Sequence, residues 1–358
     1  MFLLQEESFK HKVTTSTQTS DSWAKQNLAA IHARLQPVRK LNSGTIYTEP
    51  SGIHFHVVTK TGSSLRFWLI EQTNPNTGVI QSEIDLDDPL LLMEPYTQAM
   101  TLGLLWRPQP SAIYIAGFGG GRLPLILHHY LPNACIDCTD IEPNIVKIAE
   151  QFFGVQCDER LQVAIEDGRR WLEKTDKLYD LILLDVFLDN GYSPYRMSTV
   201  QFFQLCHSRL LPGGVVVINL LGGDPFAAAK ARTLAQAFLN VYTFVDPGEN
   251  IILFATDNNE FEIETLHQRA AMLDAVHAFP YPFREHGQRL TKGLDILEAE
   301  ARTAPLLTDD APPAEYFATL PSFAAPFSQV DPNLPCPCGS GLHFAACHGA
   351  ASSTINVD

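Results

Sequence analysis

No run of eighteen apolar residues occurs in this chain, so no segment is long enough to cross a bilayer as a helix. The basic region and longer apolar core of a secretory leader are also missing. The first residues, "MFLLQEESFKHK", place Glu6 and Glu7 directly after five apolar or neutral positions. Export is therefore not expected, and a cytoplasmic location is. Basic residues are scarce, 25 Lys and Arg against 40 Asp and Glu, which leaves a formal charge of -15. That balance argues against salt-dependent binding to a phosphate backbone, so no nucleic-acid partner is expected. No internal repeat is present, which excludes a solenoid. Thiols number only seven. Cys135, Cys138, Cys157 and Cys206 are scattered through periodic segments, as buried thiols of a reducing compartment would be. Cys135 and Cys138 mimic a redox pair, but in the strand-like "ACIDCTD" positions three apart face opposite sides of a sheet.

What is present is ample for a core: 358 residues, 45% of them hydrophobic. Residues 1–43 form an N-terminal segment with a helical pattern from Ser22 to Arg39. Residues 44–95 change to short β-rich runs ("GIHFHVV", "SSLRFWLIEQ", "GVIQSEIDL") separated by Gly, Ser, Asn and Thr, a small antiparallel unit. His54 and His56 share one face there and read as strand surface. From residue 96 strands alternate with helices: "AIYIAG" with "LPLILHHYL", "ACIDCTD" with "EPNIVKIAEQFF", "LQVAIED" with "GRRWLEKT", "YDLILLDVF" with "STVQFFQLCHSRLL", "GGVVVINLL" with "PFAAAKARTLAQAFL". Five apolar strands with crossover helices predict a parallel sheet covered on both faces. "VYTFVD" and "NIILFAT" are separated only by "PGE", too little for a crossover, and must form a hairpin. The expected fold is thus α/β, and a parallel series ending in an antiparallel hairpin resembles the class I methyltransferase-type Rossmann layout. This domain is taken to 320, with residues 257–305 read as helical. A linker rich in Pro and Ala (321–334) follows, then a cysteine cluster at 335–350.

The first Rossmann strand runs into "GFGGGRLP". Gly117, Gly119 and Gly121 sit where a chain turns tightly and a ligand meets bare backbone, and Pro124 suits the first helical turn. Acids follow at successive strand ends. Asp140 can accept ribose hydroxyls at the end of the second strand, with Glu142 two places on. Glu166 and Asp167 close the third, where Asp167 is either a helix cap or an acceptor for an adenine amino group. Asp185 closes the fourth, with Asp189 in the loop beyond. Acids at three successive strand ends beside one glycine loop point to a nucleoside site at the topological switch point.

Residues 45–320 resemble the spermidine/spermine synthase superfamily. The resemblance rests on "GVIQSEIDLDDPLLLMEPYTQAM", "IYIAGFGGGRLP", "CTDIEPNIV", "IEDGRRWL", "YDLILLDVF" and "LLTDDAPPAEY". It implies a donor-side glutamine at Gln81, a ribose-binding acid at Asp140 and an adenine-side acid at Asp167. Asp185 is similar to the cleft aspartate that helps deprotonate an attacking amine, with Tyr96 or Tyr192 as candidate assistants, although both read better as aromatic lining. Thr308, Asp309 and Asp310 match a Thr-Asp-Asp-x-x-Pro signature whose plain reading is an N-cap. The departures matter as much. Gly119 stands where polyamine synthases carry the aspartate that holds the donor's amino group. Thr97, Gln98 and Ala99 replace a Tyr-His-Glu stretch, and "DVFLDNGYSP" keeps Asp185 of an Asp-Ser-x-Asp-Pro segment. A G-x-G-G-G-x-L-P loop is typical of the methyltransferase-like members. The expectation is a transferase using S-adenosylmethionine for methyl transfer rather than decarboxylated S-adenosylmethionine for aminopropyl transfer. A polyamine aminopropyltransferase and a degenerate nucleoside-binding scaffold are the alternatives. The acceptor, a small molecule or a protein, is not identified; self-association is expected only because family members are usually oligomeric.

At the end, "PCPCGSGLHFAACHG" supplies Cys336, Cys338, Cys347 and His348. Three thiolates and one imidazole match a closed structural zinc site, and so short a segment needs the metal to fold. It resembles the SEC-C motif, which implies a protein contact.

Overall fold

In the computed structural model the described residues are 17–188, 192–246, 248, 250–258, 261–313, 316 and 325–326. Helix α1 (Thr17–Arg39) precedes strands β1 (Gly44–Ser51), β2 (His54–Thr61), β3 (Ser64–Glu71) and β4 (Thr77–Asp85). These four make an antiparallel meander, to which Ala325–Pro326 (β13) add at β4. After α2 (Pro95–Met100) comes the second sheet, of β5 (Ala112–Ala116), β6 (Cys135–Asp140), β7 (Leu161–Ile165), β8 (Tyr179–Leu184), β9 (Leu210–Leu221), β10 (Asn240–Val245), β11 (Asn250–Thr256) and β12 (Thr291–Lys292). Its order is β12-β10-β11-β9-β8-β5-β6-β7. The five strands β5 to β9 pair in parallel, and β10 and β11 pair antiparallel, as the short connection required.

Crossover helices α3 (Arg122–Tyr130), α4 (Ile145–Phe152), α5 (Gly168–Lys174), α6 (Val200–Ser208) and α7 (Ala227–Ala237) cover both faces. The strand pleat sorts the core into two layers. Ile113, Ile115, Leu181, Leu183, Val215 and Val217 join one cluster; Tyr114, Ala116, Ile182, Leu184, Val216 and Ile218 join the other. The meander's inner face, with Val58, Leu65, Phe67 and Ile84, belongs to the first cluster. The N-terminal unit is therefore packed into the Rossmann core. His56 points the same way as Val58 and is 1% exposed, not strand surface as its spacing suggested. Cys135 is exposed and Cys138 buried, as their spacing on a strand demands. The stretch from 257 is only partly helical: α8 (Ile263–His277) and α9 (Phe283–Gln288) are followed by β12 and the short α10 (Glu298–Ala301). No helix among the described residues is long and apolar enough to cross a membrane.

One ion pair lies entirely inside. Lys230 Nζ meets Asp224 Oδ2 at 2.5 Å, both buried, beneath the Tyr316 ring. Burial alone lowers the lysine's affinity for its proton, and Asp224 opposes this. Removing one partner strands the other charge in a dry site. Lys230→Met should therefore lower unfolding free energy by about 3–5 kcal/mol in urea titrations. Lys230→Met combined with Asp224→Asn should recover most of that loss; a double variant as unstable as the single one contradicts this assignment.

Candidate nucleoside and transfer site

The loop after β5 is shaped by its lack of side chains. Gly117, Gly119 and Gly121 have φ of 90°, 53° and 69°, a region that L-residues with a Cβ rarely adopt. A Cβ on Gly117 would lie 2.1 Å from the Asp185 carbonyl oxygen, and one on Gly120 would lie 2.7 Å from Ser82 Cβ. The loop is thus pressed between β8 and β4. The strand beneath it is irregular. Phe67 pairs with Ser82 and Trp68 with Ile80, so Gln81 is an extra residue in β4, a β-bulge that re-aims its neighbours. From this bulge Ser82 Oγ accepts from Gly120 N at 2.7 Å, and the Gln81 carbonyl would stand 3.1 Å from a Cβ on Gly119. Among the described residues the Gln81 side chain makes no hydrogen bond, which leaves its amide available.

The strand order brings Asp185, the glycine loop, Asp140 and Asp167 into one row at the carboxyl edge, at the switch point between β8 and β5. Three strand spacings make that row roughly 14 Å long. The acids differ in how much acceptor capacity they keep. Asp140 Oδ2 accepts from Phe118 N (2.9 Å) and Gly119 N (3.4 Å), and Oδ1 from Glu142 N (2.9 Å). Burial raises its proton affinity and these backbone N–H groups pull it back. A carboxylate has about four acceptor directions, so Asp140 retains one for a ligand hydroxyl. Glu142 is more fully engaged. Ser51 Oγ lies 3.0 Å from both its oxygens, Asn144 N donates at 3.2 Å, and His56 Nε2 is 3.4 Å away. It ties the meander to the end of β6. Burial lowers the proton affinity of His56, although Glu142 and Glu49 oppose it.

Asp167 caps α5, its Oδ1 accepting from Arg170 N at 2.9 Å. The capping role leaves Oδ2 for an amino group. Glu166 turns away to Lys174 at 2.5 Å. Two exposed apolar side chains lie near these acids: Ile141, 73% exposed, follows Asp140, and Ile165, 47% exposed, pairs with Asp140 across β6 and β7. An apolar residue flanked by two acids was the signal that could have found Ile141.

Asp185 sits deepest in the cleft. Its Oδ1 accepts from Asn219 Nδ2 at 2.9 Å, and Asn219 Oδ1 in turn accepts from Asn250 Nδ2 at 2.9 Å. The Tyr96 hydroxyl also bonds Asp185. Burial, opposed by those two donors, pushes the Asp185 carboxyl up to about 6. Burial and the neighbouring Asp185, Glu94 and Asp246 hold Tyr96 in its neutral form well above the usual phenol range. Tyr96 is therefore a donor to Asp185, not itself a base at neutral pH. Tyr192 is buried against the loop beyond, and Asp189 lies outside the described residues. Of the residues in place of the Tyr-His-Glu stretch, Gln98 is buried: its Nε2 donates to the Leu92 carbonyl at 2.6 Å, and its Oε1 accepts from His286 at 2.9 Å. Asp309 pairs with Arg169. The proposed metal ligands Cys336, Cys338, Cys347 and His348 lie outside the described residues. Among the described residues no group of three metal-ligating side chains occurs.

The family model for the spermine/spermidine synthase domain matches residues 96–236, and that for the SEC-C motif matches residues 333–350. The polyamine aminopropyltransferase of Vibrio vulnificus (strain CMCP6) is 30% identical over 227 residues, 62% of this chain and 74% of that protein. The human eEF1A lysine and N-terminal methyltransferase is 33% identical over 207 residues, 52% of this chain but only 29% of that protein. A probable spermidine synthase from Corynebacterium glutamicum ATCC 13032 has the same fold, with a TM-score of 0.60 at 18% identity over 79% of this chain and 100% of that one.

The raised Asp185 carboxyl has a stability consequence. Its folded value of about 6 exceeds the unfolded 3.8, so the native state binds the extra proton between these values. Stability then falls as pH rises through this window and stays lower above it. Two units correspond to about 3 kcal/mol. Asp185→Asn should raise the melting temperature at pH 8 and give no gain near pH 4, read by calorimetric scans across pH. A gain of the same size at both ends contradicts the assigned burial.

Proposed function

We propose that this chain, which belongs to the spermidine/spermine synthase superfamily, is a transferase that takes an S-adenosyl donor and moves a methyl group onto an amine. The observation that carries this reading is Gly119. Its left-handed φ and the Gln81 carbonyl 3.1 Å from where a Cβ would stand make a side chain there strained and tight, and glycine itself offers no carboxylate to hold the donor's amino group. The residues present fit a nucleoside otherwise. Asp140 keeps one acceptor direction for a ribose hydroxyl, Ile141 and Ile165 offer apolar surface to an adenine face, and Asp167 Oδ2 is placed for its amino group. The glycine loop lets the donor approach bare backbone, and Gln81 lies in the bulge next to it.

A sulfonium donor supplies an already activated carbon. What remains for the protein is to hold an amine in line with the C–S bond, which positioning accomplishes. The amine must also shed a proton. Asp185, with a carboxyl near 6, is ionised at neutral pH and accepts it, while Asn219 and Tyr96 keep the carboxylate oriented. One feature favours aminopropyl transfer to a polyamine as the second reading. Asp185, Glu94 and Asp246 all act on Tyr96, an acidic surround suited to a polycation.

The tail is read as a structural zinc knuckle held by Cys336, Cys338, Cys347 and His348, serving contact with a protein partner. Free thiols at Cys135, Cys138, Cys157 and Cys206 suit a reducing, cytoplasmic setting.

Calorimetry of the purified protein with S-adenosylmethionine, its decarboxylated form and methylthioadenosine separates the readings. S-adenosylmethionine should bind more tightly than the decarboxylated donor. The reverse order moves the reading to aminopropyl transfer, and binding of none below the millimolar range leaves only a scaffold. For the tail, one zinc per chain should be found by elemental analysis of the intact protein. It should be absent after Cys338→Ser and Cys347→Ser are combined, and zinc that survives both changes sinks the site.

A further inference from the structure

The Thr308–Asp309–Asp310 signature has no part in the donor site, yet its bonds converge on one loop. Arg169 Nη1 donates to Asp309 Oδ1 at 2.8 Å and Nη2 to Oδ2 at 2.5 Å, a two-pronged pair. The same Nη1 donates to the Arg196 carbonyl at 2.8 Å. Thr199 Oγ1 donates to Asp309 Oδ1 at 2.8 Å, and Asp309 N donates to Gln201 Oε1 at 3.1 Å. Around this centre Val200 N donates to the Leu307 carbonyl (2.9 Å), the Tyr195 hydroxyl to the Thr308 carbonyl (2.7 Å) and the Tyr316 hydroxyl to the Ser193 carbonyl (2.7 Å). Residues 307–309 and 316 thus strap down 193–201, the chain that follows Asp185.

That loop is one wall of a water-sized cavity of about 20 Å³, lined by Ser193, Met197, Ser198, Val186, Asn219 and Lys230, behind the strand end that carries Asp185. Asn219 is the donor that orients Asp185. The other end of the clamp, Arg169, lies two residues after Asp167 on the turn into α5. One carboxylate therefore fixes the acceptor-side wall relative to the donor-side turn.

We infer that Asp309 is a positioning residue: through Arg169 and Thr199 it holds the 193–199 wall in place beside Asp185 and so sets where the acceptor sits, without touching the donor. This rests on the transferase reading for the identity of the acceptor side, but the clamp is measurable without it. Arg169→Lys should behave like loss of the clamp, because an ammonium cannot reproduce two parallel bonds plus those to Arg196 and Thr199.

The test compares the wild type with Asp309→Asn, Asp309→Glu and Arg169→Lys. In Asp309→Asn, amide hydrogen exchange of residues 193–199 should quicken about tenfold, while that of 117–121 does not change. The dissociation constant for S-adenosylmethionine should hold within about twofold. With putrescine and polylysine as amine probes and radiolabelled methyl donor, KM for the probe should rise about tenfold at an unchanged kcat, and Asp309→Glu should restore part of it. Unchanged exchange at 193–199 overturns the proposal. So does a rise spread equally over the glycine loop with weaker donor binding, because that describes a merely structural residue. If the wild type methylates neither probe, the methyltransferase reading fails, and exchange together with donor affinity still decides the clamp.

Discussion

The carboxyl edge of this sheet depends on one close approach, that of the Gly117 backbone to the Asp185 carbonyl. A side chain at 117 would stand 2.1 Å from that oxygen, well inside any tolerated contact. The approach puts the glycine loop and the cleft aspartate in adjacent strands with nothing between them. It also obliges the next three residues to bend back over β4, where the bulge at Gln81 receives them. The N-terminal meander is thus part of the site. Without Ser82 the Gly120 N–H would lose its partner at a partly buried position, where an unmade bond costs more than a made one gains.

A row of carboxylates gives little information until the bonds each already makes are subtracted. Glu142 spends its acceptors on Ser51, Asn144 and His56, and Glu166 spends a side on Lys174. Asp140 spends three directions on the loop it stiffens. Compared with Asp140, Asp185 makes fewer bonds and has no cationic partner either. Its two partners are neutral donors, Asn219 and Tyr96. Neutral donors steady the ionised form without neutralising it, so desolvation wins and the proton affinity rises. That difference, not the mere presence of an acid, is what singles out Asp185 as the proposed proton acceptor among acids that hold structure.

The fold was legible because its signals are local. The pleat of β5, β8 and β9, and the short connection between β10 and β11, each fix an arrangement by spacing alone. The glycine loop and the acids after it were legible for the same reason, since strand ends can be counted. What spacing cannot carry is which face a second unit covers. His56 looks like surface in its strand and is buried because another domain lies against it. The bulge at Gln81 is likewise invisible, because an extra residue in one strand shows only against its partner. The local explanation for an acid near prolines is a cap, and it gives no hint of what Asp309 holds. Its true partner is 140 positions away.

The two additions to the Rossmann domain hold opposite walls of one cleft by different physics. The meander supports the glycine loop through backbone contacts to residues without side chains, which tolerate almost no adjustment. The strap supports the loop after β8 through a charged two-pronged pair and three hydroxyls, whose geometry can be altered one bond at a time. Change in such a scaffold is therefore cheaper on the strap side. A chain can keep its glycine loop and alter the loop after β8 with the strap that fastens it. The same division accounts for the relatives. An aminopropyltransferase and a protein methyltransferase both match this chain at about a third identity, as expected if reaction and acceptor vary on a support whose rigid half is shared.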